Sequence, residues 1–153
     1  QKNIFTVVVN KNNQLLAEEE LTDISDLRAL AVEVLDNGGG EGEEACDYCQ
    51  GQGDPKSSDN PDKAIISLKN DRETSYKVYI AVQNELVAAY NALRDREFMR
   101  LFPNERMTFV EANKKYSDPR TSPEEKLRLR PKLSEVKLLF PQKLSEAEPS
   151  KTN

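Results

Sequence analysis

The segment from Ala64 to Phe102 constrains the fold most, because its hydrophobic period changes from strand-like to helical within a few residues. Residues 64–68 (Ala-Ile-Ile-Ser-Leu) are apolar and rich in β-branched side chains, which is typical of a buried strand. After a polar stretch, apolar side chains recur at three- and four-residue steps, at Tyr79, Val82, Leu86, Ala89 and Leu93. The segment therefore predicts a strand, a tight turn and a long helix with one face packed on a sheet.

The residues before this segment predict a hairpin and a second helix. Residues 4–10 (Ile-Phe-Thr-Val-Val-Val-Asn) predict an interior strand, and 14–19 predict a returning strand with an acidic end. Thr22 or Asp23 is expected to cap the helix that follows, and Asn37-Gly38 to end it. Its buried stripe is predicted to contain Ile24, Leu27, Leu30, Ala31, Val34 and Leu35.

The residues after the long helix predict further helices and a last strand. Residues 107–116 have a weak helical pattern, and Ser122-Pro123 begins a stronger one that Pro131 is expected to kink or split. Residues 142–147 predict the final strand. Arg94, Arg96 and Arg100 are expected on a solvated face of the long helix.

Taken together, these patterns predict an α+β fold: a mixed β-sheet of about four strands with two main helices packed on one face. An extra helical insertion precedes the last strand. We expect a single domain over residues 1–149, with a surface loop at 37–62, a variable insertion at 103–131 and a polar tail at 150–153.

Composition excludes several kinds of chemistry. The 153 residues include no histidine, which excludes Ser/His and Cys/His catalysis and histidine-ligated metals. The net charge of −5 argues against nucleic-acid binding, and no segment approaches the length of an apolar membrane span. Acidic runs such as Glu18–Glu20 fit solvated turns better than paired catalytic carboxylates. We expect a domain that is not an enzyme and holds no cofactor.

The loop at residues 37–62, here called the cysteine loop, contains the only two cysteines. Cys46 and Cys49 begin a C-x-x-C-x-G-x-G pattern, as in DnaJ-type zinc repeats, but tetrahedral zinc needs four ligands and one copy provides two. Redox catalysis would need a stabilised thiolate, whereas the acidic neighbours of these cysteines would raise a thiol pKa. A local disulfide or a free thiol pair is the favoured interpretation, ahead of a metal site or a redox centre.

Several strings, in this order and spacing, resemble the periplasmic domain of the ExbD/TolR biopolymer-transport family, in particular a branch with long insertions associated with Bacteroidetes. The strings are Ile4–Asn10, Thr22–Leu27, Ala64–Asp71, Thr74–Leu86 with Ala89-Tyr90-Asn91, and Lys143–Pro149. They span most of the chain except the cysteine loop and residues 103–131.

The resemblance implies a component of a proton-motive-force-driven complex that powers outer-membrane transport through protein–protein contacts. Its implied partners are a TonB-like protein, an ExbB-like stator protein and a second copy of the chain. The implied location is the periplasmic side of a single-pass inner-membrane protein, whose transmembrane helix is expected outside this sequence. The proton-linked aspartate of the family lies in that helix, so Asp71 matches only a turn position.

Two short strands are expected at edges of the sheet, where unpaired backbone groups can accept an extended partner segment. The candidate residues are Gln14, Leu15, Leu16 and Ala17 in the first strand, and Gln142, Lys143, Leu144 and Ser145 in the second. The alternative function is a periplasmic thiol-disulfide or zinc-binding protein that uses Cys46 and Cys49.

Overall fold

The computed structural model describes residues 1–147 of the chain. This part contains five strands and four α-helices, joined by loops and turns. The strands are β1 (Ile4–Val9), β2 (Leu15–Ala17), β3 (Glu20–Leu21), β4 (Ile65–Asn70) and β5 (Leu144–Glu146). The helices are α1 (Ile24–Leu35), α2 (Tyr76–Leu101), α3 (Phe109–Ser117) and α4 (Pro123–Leu139). The predicted tail at 150–153 lies outside the described residues.

The strands form one mixed sheet in the order β3-β2-β1-β4-β5. β1 lies parallel to β4, with Val7 opposite Leu68, and β5 is also parallel to β4. β2 pairs antiparallel with β1, and β3 pairs antiparallel with β2. Alternate side chains of the central strands are buried, including Phe5, Val7, Val9, Ile66 and Leu68. The predicted α+β class with a mixed sheet and packed helices is confirmed, with five strands instead of about four.

The additional strand corrects the prediction that residues 14–17 form a sheet edge. Glu18 and Glu19 make a tight turn with φ of 50° and 68°, after which β3 pairs back on β2. β2 therefore has a neighbour on each side, and the edge strands are β3 and β5. A left-handed turn built on two glutamates has no glycine or asparagine signal, which explains why the sequence pattern does not reveal it.

Helix α1 begins and ends close to the predicted positions. The Asp23 carboxylate accepts a hydrogen bond from the Ser25 backbone N–H (2.9 Å), which identifies the cap among the two candidates. Leu27, Ala31 and Leu35 are buried as predicted, but Ile24 is 38% exposed, contrary to the predicted stripe. The Arg28 guanidinium forms two hydrogen bonds to the Glu85 carboxylate, at 3.2 and 3.0 Å, and so joins α1 to α2.

The described chain divides into two compact units. One comprises residues 1–89 together with the chain from Lys143 onward, and the other comprises Tyr90–Gln142. The second unit contains the end of α2, α3 and α4, around a core of Phe98, Phe109, Ala112, Leu129, Leu133 and Val136. Helix α4 starts at the predicted Ser122 cap and is continuous through Pro131, so of the two predicted effects of this proline, a kink or a split, the split does not occur.

Charged side chains are buried within the second unit. Glu97 is fully buried and pairs with Arg96 (2.9 Å) and Arg100 (2.5 Å). Arg94 is 9% exposed and donates to the Phe140 carbonyl at 2.9 Å, which contradicts its predicted place on a solvated face. The stripe of α2 that faces the core is thus partly ionic, and hydrophobic periodicity alone does not predict such a stripe.

Within residues 1–147, no helix combines the length and the apolar composition that crossing a bilayer requires.

Leu86 provides a test of the orientation of α2. Its side chain is fully buried, between the buried residues Val82 and Ala89. Leu86→Ala is expected to lower the free energy of unfolding by about 2–5 kcal/mol, because the substitution leaves a cavity that the packed core cannot fill. Asn84→Ala, an exposed position on the same helix, is the control and should cost far less. Urea denaturation measures both, and equal losses would contradict this orientation.

Candidate functional site

The β5 strand is an open edge of the sheet and one of the predicted partner-binding segments. Leu144 and Ser145 lie in the strand, while Gln142 and Lys143 precede it. The Ile66 N–H donates to the Lys143 carbonyl (3.0 Å), and the Ala147 N–H donates to the Leu68 carbonyl (3.1 Å). Because successive residues of a strand alternate in direction, the backbone groups of Leu144 and Glu146 point away from β4. These groups are available to an added strand.

Side chains at both ends hold β5 in place. At its end, the Glu146 carboxylate accepts hydrogen bonds from the Tyr79 hydroxyl (2.5 Å) and the Gln83 amide (2.5 Å) on α2. Before its start, the Lys143 ammonium donates to the carbonyl and carboxylate oxygens of Asp62. β5 forms only three residues of ladder with β4, so these polar contacts determine how firmly the edge strand stays in the sheet.

The Tyr79–Glu146 contact alters the titration of the phenol. Burial, followed by the hydrogen bond to Glu146, raises the pKa of Tyr79 to about 12. The neutral hydroxyl is therefore the form that the fold stabilises, since only that form donates a hydrogen bond to the carboxylate. Sequence reasoning placed Tyr79 on the helix stripe and did not identify this contact, because the two residues are far apart in the chain.

The other edge strand, β3, has fewer backbone groups with which an added strand could pair. β3 has two residues, Glu20 and Leu21, and both are exposed. The Leu21 side chain is 71% exposed, and the turn before it carries the charges of Glu18 and Glu19. The residues predicted as the first binding edge, Gln14 to Ala17, are covered by this strand: Leu16 pairs with Leu21 and Ala17 with Glu20. β5 is consequently the better candidate for strand addition.

The cysteine loop contains a disulfide between Cys46 and Cys49, whose Cα atoms are 5.5 Å apart. Both cysteines are partly exposed. Within residues 1–147, no three side chains of the kinds that bind metals are grouped closely enough to hold an ion. Beside Cys46 lies a surface cavity of about 400 Å³, whose wall includes Tyr48, Asn60 and Lys63.

The cysteine loop is more tightly built than its composition predicts. Asn37 is 5% exposed; its amide donates to the carbonyls of Asp54 (2.9 Å) and Ser58 (2.7 Å), and its carbonyl accepts from the Asp54 N–H (3.0 Å). Ser58 is fully buried and Asp59 is 7% exposed. Residues 37–62 have no hydrophobic period, so the sequence predicts a surface loop with little to bury, and these buried residues show that prediction to be wrong. The reason is that polar side chains, which carry no hydrophobic period, provide its interior contacts.

Glycines allow the loop to pack this closely. A Cβ atom on Gly51 would lie 2.4 Å from the Asp36 carbonyl oxygen, to which the Gly51 N–H donates at 2.9 Å. A Cβ atom on Gly39 would lie 2.3 Å from the Asp54 carbonyl oxygen. Gly51 of the C-x-x-C-x-G-x-G pattern thus has a packing role in this chain, and Gly53 of the same pattern adopts a φ of 65°, which favours glycine.

A scan against protein-family models finds no match for this chain, and searches of curated proteins and of solved structures find none either.

Tyr79→Phe tests the contact that holds β5. The raised pKa of Tyr79 means that its contribution to stability is present below the unfolded value of about 10 and is lost as pH rises from there to about 12. The variant should therefore lose roughly 1 kcal/mol of unfolding free energy at neutral pH. Its late phenolate absorbance step should also be smaller by one tyrosine.

Tyr76→Phe is the control, because that side chain is 78% exposed. It should keep both the stability and the late step. A late step of unchanged size in Tyr79→Phe would contradict the raised pKa of Tyr79.

Proposed function

We propose that this chain is the periplasmic domain of an ExbD-like component of a proton-motive-force-driven energy-transducing complex. It acts by protein–protein interaction and contributes to the powering of outer-membrane transport. The proposal rests on the resemblance of its sequence strings to the ExbD/TolR family. The observation that carries the mode of action is the open backbone edge of β5 in the mixed sheet. In this proposal the chain belongs to a single-pass inner-membrane protein.

A TonB-like protein is the partner proposed for this edge. An extended segment placed beside β5 can pair with the outward backbone groups of Leu144 and Glu146, so that the sheet gains a sixth strand. Main-chain hydrogen bonds then provide affinity, and alternate side chains of the segment provide specificity. The ExbB-like stator contact is assigned to the transmembrane helix expected outside this sequence, and a homodimer completes the proposed assembly.

A proline scan of the β5 edge tests this mode of binding. Proline lacks the N–H that an added strand needs, so Glu146→Pro should weaken binding of a periplasmic peptide of the TonB-like partner by about tenfold. Glu146→Ala is the matched control, because it also loses the contacts to Tyr79 and Gln83 but keeps the backbone N–H. The difference between the two variants isolates the backbone contribution.

Isothermal titration calorimetry measures the affinity for the peptide, and circular dichroism checks that each variant is folded. Leu144→Pro tests the second outward N–H in the same way, with Leu144→Ala as its control. If all folded proline variants bind the peptide as tightly as their alanine controls, strand addition at β5 is wrong.

A second candidate function is thiol–disulfide exchange, and the observation that favours it is the partly exposed Cys46–Cys49 disulfide beside a cavity. In such a step a partner dithiol would reduce the bond by two electrons and become a disulfide itself, leaving two thiols on this chain. The acidic surroundings oppose this step, because Glu43 and Glu44 in the wall of the same cavity disfavour the thiolate that leaves the Cys46–Cys49 disulfide.

The double variant Cys46→Ser with Cys49→Ser separates the two candidates. The energy-transducing proposal expects iron-chelate uptake to remain close to that of the unaltered chain, because no cysteine lies on the β5 edge. The exchange candidate expects the unaltered chain to have a measurable dithiol-oxidising activity that the double variant lacks, whereas the energy-transducing proposal expects no such difference between the two proteins. A severe loss of uptake in a variant that still folds would contradict the first candidate.

A further inference from the structure

A surface cavity of about 240 Å³ lies within the Tyr90–Gln142 unit, where α2 ends and the chain turns into α3. Its wall combines apolar and charged side chains: Met99, Phe102, Pro103, Arg106, Met107, Thr108 and Glu111. None of these residues belongs to the β5 edge or to the cysteine loop. The cavity is smaller than the roughly 300–1,000 Å³ pockets that hold drug-sized ligands, and its size suits one large side chain.

Both methionines of the chain line this cavity. Met99 is 53% exposed, whereas Met107 is partly buried and packs against the apolar core of the unit together with Phe102. Methionine is flexible and polarisable, and such side chains adapt to apolar groups of different shape. Phe102 and Met107 are therefore held by the core, whereas the exposed Met99 side chain can change conformation to fit a ligand.

Of the two charged side chains in the wall, Glu111 is held by hydrogen bonds within the described part of the chain and Arg106 is not. Glu111 and Thr108 form a capping box at the start of α3, in which the Thr108 N–H donates to the Glu111 carboxylate (2.9 Å) and the Glu111 N–H donates to the Thr108 hydroxyl (3.1 Å). Within residues 1–147, the Arg106 guanidinium makes no hydrogen bond or ion pair, although its backbone closes the preceding turn with φ of 56°. The wall thus places the unpaired guanidinium of Arg106 beside the apolar part of the cavity.

The apolar surface continues beyond the cavity. Val110 is 42% exposed, and its N–H donates to the Asp95 carboxylate at 2.9 Å, one helical turn before Met99 on α2. A small free carboxylate seated in the hollow would leave this surface uncovered, whereas a polypeptide can cover both.

We propose that this cavity is a docking site for a protein segment that inserts one large apolar side chain between Met99 and Met107 and places an adjacent carboxylate on Arg106. Charge complementarity selects the carboxylate, because a guanidinium binds it through paired, charge-assisted hydrogen bonds. The apolar anchor supplies the burial that such a small contact needs. The site is independent of the proposed strand addition at β5.

Methyl NMR of methionine-labelled protein reports directly on this site, because the two native methionines both lie in its wall. The first probe is the peptide acetyl-Ser-Leu-Glu-Ser-amide, in both orders of leucine and glutamate. The matched peptides replace glutamate by glutamine or leucine by alanine. Octanoate serves as the free-carboxylate arm.

The leucine–glutamate peptide is expected to shift both methionine signals. The glutamine peptide should bind about five- to tenfold more weakly, and the alanine peptide should cause little shift. Arg106→Gln should remove the preference for glutamate, and Arg106→Asn is the second variant because asparagine tolerates a positive φ. Arg130→Gln is the control; this exposed arginine of the same unit also makes no ion pair within residues 1–147.

Three outcomes would overturn the proposal. The first is the absence of a shift with either leucine–glutamate peptide. The second is an equal preference for glutamate in the Arg106 and Arg130 variants, which would assign the effect to net charge. The third is a shift with octanoate but with no peptide, which would make the cavity a site for small carboxylates.

Discussion

The parallel pairing of β1 with β4 is the constraint on which the first unit depends. Two parallel neighbours cannot be joined by a tight turn, so the chain needs a long crossover between Val9 and Ile65. That crossover contains β2, β3, α1 and the cysteine loop. The buried stripe of α1 and the first half of α2 cover the apolar face of the sheet. The last strand joins at the free side of β4 and so becomes an edge of the sheet.

The cysteine loop returns the chain to the correct starting point for β4. The side-chain carbonyl of Asn3 accepts a hydrogen bond from the Asp59 N–H (2.9 Å). The backbone carbonyl of Asn3 accepts one from the Ile65 N–H (2.7 Å). One residue before β1 therefore holds the end of the loop and the start of β4. Asn37 and the close-packed Gly51 hold the rest of the loop against the end of α1, with hydrogen bonds in place of a hydrophobic core. The Cys46–Cys49 disulfide is a local covalent link inside the loop.

The second unit is stabilised differently, by charges engaged around an apolar cluster. Glu105 accepts from Arg128 at 3.1 Å and from Lys132, and the Arg128 side chain, followed by Lys132, lowers the pKa of this carboxyl. Burying Glu97 carries a desolvation cost that its two arginines must offset. The Glu105 pairs favour one position of α4, since a displaced Arg128 or Lys132 would leave this largely buried carboxylate unpaired. Within residues 1–147 the Arg106 guanidinium makes no such pair, and its place in the cavity wall is why we propose it for an external carboxylate.

Local signals in the sequence determined the long elements: the β-branched run before α2, the caps at Asp23 and Ser122, and the period that buries Leu86 each predict a correct element. They also determined that a short last strand exists and that two cysteines lie close enough to pair. Tertiary structure alone decided which strands are edges, that Tyr79 meets Glu146, that polar side chains fill the cysteine loop, and that Met99 and Met107 share one cavity. These features depend on residues distant in sequence or on polar contacts without a period. Periodicity reports which face of an element is buried, and it contains no information about what that face meets.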